Sequence, residues 1–247
     1  MINLYKSNMR RLAKSFVFMG GCVIAFLATL AFSSNMIGME GRFAAMSNSE
    51  RMFFISIAMM GFFTFFVPLF TNTEYRNGVI RNKIIAGYSH KQVFYSHLLT
   101  HFSALLIMTV VYMIAGFLGG AAFSGEMLMK NIVLFLALFA YISVLMLMAI
   151  RVKRTTTLVV GAFLFLNICY FGVMIGNALI AFVLKGTTKT VGIMIYNMTA
   201  FGQWLANTGF GDAYLNPGNT VQLFISTGMI FVMAILSVTG LDKKDLE

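Results

Sequence analysis

Six stretches of this chain, residues 16–32, 52–70, 98–118, 131–150, 158–184 and 221–238, contain no Asp, Glu, Lys or Arg. A helix needs about 20 apolar residues to cross the hydrocarbon of a bilayer. In lipid only a helix or a closed barrel satisfies the backbone internally, and barrel strands would be shorter and alternating. The pattern predicts an all-α integral membrane protein with six transmembrane helices. What remains between the runs is too short to fold alone, so residues 1–247 read as one membrane domain. Charged residues make up 11% of the chain, against about 25% in soluble domains. That deficit excludes an ordinary soluble enzyme, and 26 Phe exclude a disordered chain. Residues 16–32 follow Lys6, Arg10, Arg11 and Lys14 but lack a small-x-small site beyond them, so they read as a span rather than a secretory signal.

The formal net charge is +10, and its placement argues against nucleic acid. With six spans, one side collects Lys6, Arg10, Arg11, Lys14, Arg76, Arg81, Lys83, Lys91, Arg151, Lys153, Arg154, Lys243 and Lys244. The other holds only Arg42, Arg51, Lys130, Lys185 and Lys189. The positive-inside rule then puts both termini in the cytoplasm. Residues 190–211 carry no charge, but Asn197, Gln203, Asn207 and several glycines and threonines interrupt them. A seventh span there would send Lys243 and Lys244 outside, so this segment is expected to be re-entrant or interfacial. Residues 4–15, with Leu4, Tyr5, Met9 and Leu12 among four cations, read either as a short amphipathic helix on the inner leaflet or as a basic topogenic flank without fixed structure. Gly172, Gly176 and Asn177 predict a tilt or kink in span five. Cys22 and Cys169 lie inside apolar runs and read as small buried hydrophobes.

Several chemistries have no residues to carry them. No GxxxxGK[ST] phosphate loop occurs, so nucleotide binding in that mode is not expected of this chain. All Asp and Glu fall outside the six runs, and His101 is the one ionisable group within them. Ion-coupled carriers usually need intramembrane acids or bases. Neither an enzyme nor a self-powered pump is expected, and no metal or cofactor on this chain. Thr64, Asn167 and Asn177 could line a pathway, although polar residues in spans more often hold helices together.

The loop between spans two and three is more informative. Asn77–Gly78 is a turn signal. Residues 79–86 then read as a two-turn helix, with Ile80 and Ile84 on one face and Arg81 and Lys83 elsewhere. Gly87 is placed to cap its C-terminus. Ser89 and Gln92 form a capping-box pattern that opens the next helix. Glu74, Gly78, Val79 and Ile80, followed by Arg81, Asn82, Lys83, Gly87, Tyr88 and Ser89, resemble the coupling region of ABC-2 type transporter permeases. That region commonly carries Glu-x-x-x-Gly-[Thr/Val]-[Ile/Leu], a basic helix and a Ser-containing turn.

The resemblance implies a subunit of an ABC exporter in a bacterial plasma membrane. It would pair with a second permease half, identical or related, and with two cytoplasmic ABC ATPase subunits that hold ATP and Mg. Glu74, Gly78, Val79, Ile80, Arg81, Asn82, Lys83, Ile84, Gly87 and Tyr88 would form the ATPase contact, with Glu74 tying the region to neighbouring helices. A simpler role for Glu74 is pairing with Arg76 or Arg81. Small permeases of this kind often export, or confer immunity to, antimicrobial peptides, which suggests a hydrophobic or amphipathic substrate. An ion-coupled carrier and a non-transporting sensor or immunity protein are the alternatives.

Overall fold

A computed structural model describes residues 1–34, 36, 41–76, 78–152, 154–208 and 213–239. The expectations resting on Asn77, Lys153, Lys243 and Lys244 lie outside the described residues. The described chain is helical, with no strand. Its helices are α1 (Ile2–Ala13), α2 (Phe16–Ser33), α3 (Asn48–Ile55), α4 (Ala58–Arg76), α5 (Val79–Ile85), α6 (His90–Leu118), α7 (Gly125–Arg151), α8 (Thr155–Phe182), α9 (Gly186–Tyr196), α10 (Ala200–Asn207) and α11 (Asn219–Val238). Six candidate spans are long and apolar enough to cross a membrane: α2, the α3–α4 pair, α6, α7, α8 and α11.

Contacts sort the helix ends into two groups. At one end Arg11 of α1 meets Glu74 of α4, the Thr155 hydroxyl that opens α8 donates to Asn72 of α4, and Arg151 of α7 donates to the Leu236 and Thr239 carbonyls. At the other end Asn48 of α3 donates to the Gly119 carbonyl, and the Ala122 amide donates to Ser49. The six spans therefore run back and forth, and α1, α5 and the end of α11 share one end. Helix α7 runs through the middle, packed on α4, α6, α10 and α11. Its Ile142, Leu145 and Met146 are fully enclosed. The outer helices α2, α8 and α11 turn large apolar side chains outward, with Phe16 89%, Phe182 85% and Phe224 75% exposed. Water would not tolerate such a surface; a lipid phase would.

Two expectations change. Span two is not one run over 52–70 but two helices separated at Ser56–Ile57. The Phe53 carbonyl at the break accepts from the Ser56 hydroxyl and from Trp204 Nε1 of α10, the latter at 3.2 Å. Side chains thus replace part of the helical ladder, which is a known cause of a helix break. Second, α4 does not stop at Phe70. It continues to Arg76 and places Glu74 within a candidate span; Glu50 and Glu126 also fall within candidate spans, in their first turns, so the reading that every carboxylate lies outside the spans fails at these residues. Helix α8 runs unbroken through Gly172 and Gly176.

Of the pathway candidates, Thr64 is fully buried and bonds to Tyr141 Oη at 2.7 Å, joining α4 to α7. Asn167 donates to its own helix at the Phe163 carbonyl. Both cysteines are free and buried.

Candidate functional site

Local chemistry sets α5 in place. Gly78 adopts φ +68° at its N-terminus, a left-handed conformation that costs an L-residue about 1 kcal/mol or more. At the other end Ala86 is the cap and Gly87 follows at φ +89°. The Tyr88 amide reaches back to the Lys83 carbonyl at 3.1 Å and the Gly87 amide to Ile84 at 2.9 Å. That is the double bond of a Schellman motif. Ser89 and Gln92 then exchange backbone and side-chain bonds to open α6. The chain turns sharply on both sides of a seven-residue helix. Gly87→Ala is expected to lower stability by about 1–2 kcal/mol, read as a drop in the thermal midpoint in mild detergent.

One face of α5 is glued down. Ile80 is buried against Leu4 of α1 and Val93 of α6, with Ile84 and Tyr88 packed alongside. The opposite face is open: Val79, Arg81, Asn82, Ile85 and Ala86 are all exposed, Ile85 to 74%. The sequence-suggested residues therefore divide. Gly78 and Gly87 shape the turns, Ile80, Ile84 and Tyr88 anchor, Lys83 points inward, and Val79, Arg81 and Asn82 face out.

Lys83 points at Glu74. This carboxylate is 4% exposed and is held from three other helices. Arg11 Nη1 of α1 lies 2.6 Å from Oε1; Lys83 Nζ of α5 and His97 Nε2 of α6 lie 2.5 and 2.8 Å from Oε2. Lys83 also donates to Asn8 Oδ1 at 3.3 Å, and Asn8 Nδ2 donates to Ser96 Oγ of α6. Arg11 Nη2 donates to the Phe70 carbonyl at 2.6 Å, and its guanidinium lies 3.7 Å above the Phe70 ring. Burial lowers the Arg11 guanidinium from its ordinary range while the Glu74 charge and hydrogen bond oppose this; it remains a cation. A single anion thus binds α1, α4, α5 and α6 together. Of the simpler partners, Arg81 is exposed, and the side chain of Arg76 lies outside the described residues.

Arg11, Asn8 and His97 are members of this hub that the sequence reading did not single out. A signal existed. Leu4, Asn8 and Leu12 are the buried stripe of α1 at i, i+4 and i+8, and an Asn in such a stripe implies a buried partner. His97 sits one turn before His101, whose Nε2 lies 3.0 Å from the Thr71 hydroxyl. Among the described residues, no group of three or more His, Cys, Asp or Glu could hold a metal ion.

A second polar cluster joins α9, α10 and α11. Asn197 Nδ2 donates to the Leu215 carbonyl (2.9 Å), and Gln222 Nε2 donates to Asn197 Oδ1 (2.8 Å). Asn207 Nδ2 donates to Gln222 Oε1 (2.9 Å), and Gln203 Nε2 bonds to the Asn197 carbonyl and to Ser226. Each of these five side chains is at most 6% exposed. The amides satisfy one another, so the cluster is a clamp rather than an open site.

Comparison with family models, with curated proteins and with solved structures returned no match.

Proposed function

We propose that this chain is the permease subunit of an ATP-binding-cassette exporter, with α5 as the element that receives force from an ATPase. The observation that carries the proposal is the two-sided character of α5. Its inner face is fixed by Ile80 and by the Lys83–Glu74 pair to α1, α4 and α6, while Val79, Arg81, Asn82 and Ile85 face outward. A push on the outer face cannot be absorbed by α5 alone. It must move the helices that Glu74 joins, two of which span the membrane. The bulk of the basic residues lie at this end, which supports a cytoplasmic placement for it and for both termini. The α9–α10 pair, clamped to α11, would then lie at the outer leaflet. Two ATPase subunits and a second permease half complete the transporter, and ATP and Mg belong to the ATPases. The substrate class that suits an apolar pathway is a hydrophobic or amphipathic molecule such as a peptide, and the setting a bacterial plasma membrane.

An ion-coupled carrier would have Glu74 as its natural ion site. Two cations already occupy that carboxylate, which disfavours this alternative.

The test is copurification from native membranes in mild detergent. A small ATPase at equal stoichiometry is expected. Replacing outward residues by Arg81→Glu with Ile85→Glu is expected to weaken its retention about tenfold, since interface anchors are often worth more than 1 kcal/mol each. The thermal midpoint of the permease should stay within a few degrees. Reproducible recovery of no ATPase, or retention indifferent to both changes, would reject the proposal.

A further inference from the structure

At the basic end of the bundle, α1, the start of α2 and one face of α4 line an open groove of about 460 Å³. Its two ends differ in chemistry. Arg11, Lys14 and Ser15 stand at one end, and Phe62, Phe65 and Leu69 line the depth. At the Phe62 end the ring lies directly on Gly21 of α2, so near that a Cβ at Gly21 would meet ring carbon at 2.3 Å. From Thr73 at the mouth to Phe62 is about 16 Å of helix at 1.5 Å per residue. That is roughly half of a ~30 Å hydrocarbon layer, the depth of one leaflet.

The mouth has an unmet positive charge. Arg10, Arg11 and Lys14 close α1, and Lys14 is exposed with no side-chain partner among the described residues. Glu74 is the only described carboxylate at this end of the bundle, and it is already shared by Arg11 and Lys83. The N-terminus of the 18-residue α2 begins at the same place, capped by Ser15, and adds the partial positive charge of its first amides.

We infer that this slot binds one anionic glycerophospholipid, its phosphate against Lys14 and the start of α2 and an acyl chain along Phe62, Phe65 and Leu69. A second copy of this chain fits the slot less well. It would bring its own Arg10, Arg11 and Lys14 to the seam, with no described carboxylate left to meet them. A cationic amphipathic peptide meets the same repulsion. The inference needs only a membrane-embedded chain and stands independently of any ATPase.

Native mass spectrometry of the full chain tests it, with phosphatidylglycerol and phosphatidylcholine of identical acyl chains offered in equal amounts. The wild type is expected to retain one phosphatidylglycerol in preference to phosphatidylcholine, and free phosphate should not displace it. Lys14→Glu reverses one exposed charge and is expected to reduce that preference about thirtyfold, at about fivefold for each unit of charge near the headgroup. Leu69→Trp fills the slot and is expected to abolish retention of both lipids. Equal retention of the two lipids, no retained lipid in the wild type, or a Leu69→Trp variant that still holds one would overturn the inference. So would a lipid-free dimer that Leu69→Trp converts to monomer, which would assign the slot to a second copy.

Discussion

Glu74→Ala is expected to destabilise the protein by about 3–5 kcal/mol, the range for removing one partner of a buried ion pair. The cause is what is left behind. Arg11 and Lys83 meet different oxygens of the carboxylate, and His97 donates to it from a buried ring. Without the anion, two cations face each other near the end of a membrane span. Arg11 is 32% exposed and can turn toward water, so its share is the smaller; Lys83 is 12% exposed and cannot do so without lifting α5. Glu74→Gln keeps the shape and should cost nearly as much, because charge rather than volume is lost. Adding Lys83→Met to Glu74→Gln should recover more than half of the loss, since a buried pair replaced by neutral groups is often tolerated. Equilibrium unfolding in mild detergent reads these values, and trypsin cleavage at Arg81 reads the release of α5. A loss below about 1 kcal/mol, or no rescue in the double variant, would mean that the hub does not hold the helices together.

The six apolar helices are legible in the sequence because lipid leaves a chain few ways to satisfy its backbone. Roughly twenty uncharged apolar residues in a row have one solution. The caps around α5 are legible too, since Gly87 and Ser89 act on residues within five positions of themselves. Interactions between distant residues are not legible in this way. Ser56 alone does not announce a break, because its hydroxyl shares the Phe53 carbonyl with Trp204, which α10 brings in. The obvious breaker, Pro68, lies inside a helix that continues past it. Glu74 looks like a loop residue because the apolar run ends at Phe70. It is buried only because Arg11, Lys83 and His97 arrive from other helices. The general lesson concerns charge at span ends. A carboxylate one turn beyond an apolar run extends the helix if cations elsewhere in the chain can reach it, and a one-dimensional hydropathy reading has no access to that condition.

Gln222→Leu is expected to lower stability by about 2–5 kcal/mol, although it exchanges one buried side chain for another of similar size. The Gln222 side chain is fully buried, donates to Asn197 Oδ1 and accepts from Asn207 Nδ2. Asn207 keeps a second acceptor in the Gln203 carbonyl, but Asn197 Oδ1 has no other described donor. Each orphaned buried group costs about 1–3 kcal/mol, and Gln222 and Asn197 are too deeply enclosed for solvent to replace the lost partner. Gln222→Glu separates this account from one based on shape. It is closer in form to the native side chain, yet it sets a second acceptor against Asn197 Oδ1, whose amide nitrogen is committed to the Leu215 and Ile193 carbonyls. Binding a proton to that carboxyl at pH 7.5, from an ordinary value near 4.3, costs about 4 kcal/mol, and leaving it ionised in the cluster costs more. Hydrogen-bond accounting therefore ranks Gln222→Glu as the worse of the two, whereas packing alone ranks it as the milder. Unfolding in detergent at pH 7.5 distinguishes them. If Gln222→Glu proves the milder change, the α9–α10 pair is held by its apolar contacts, Trp204 and Phe201 foremost, and the amide cluster is incidental to it.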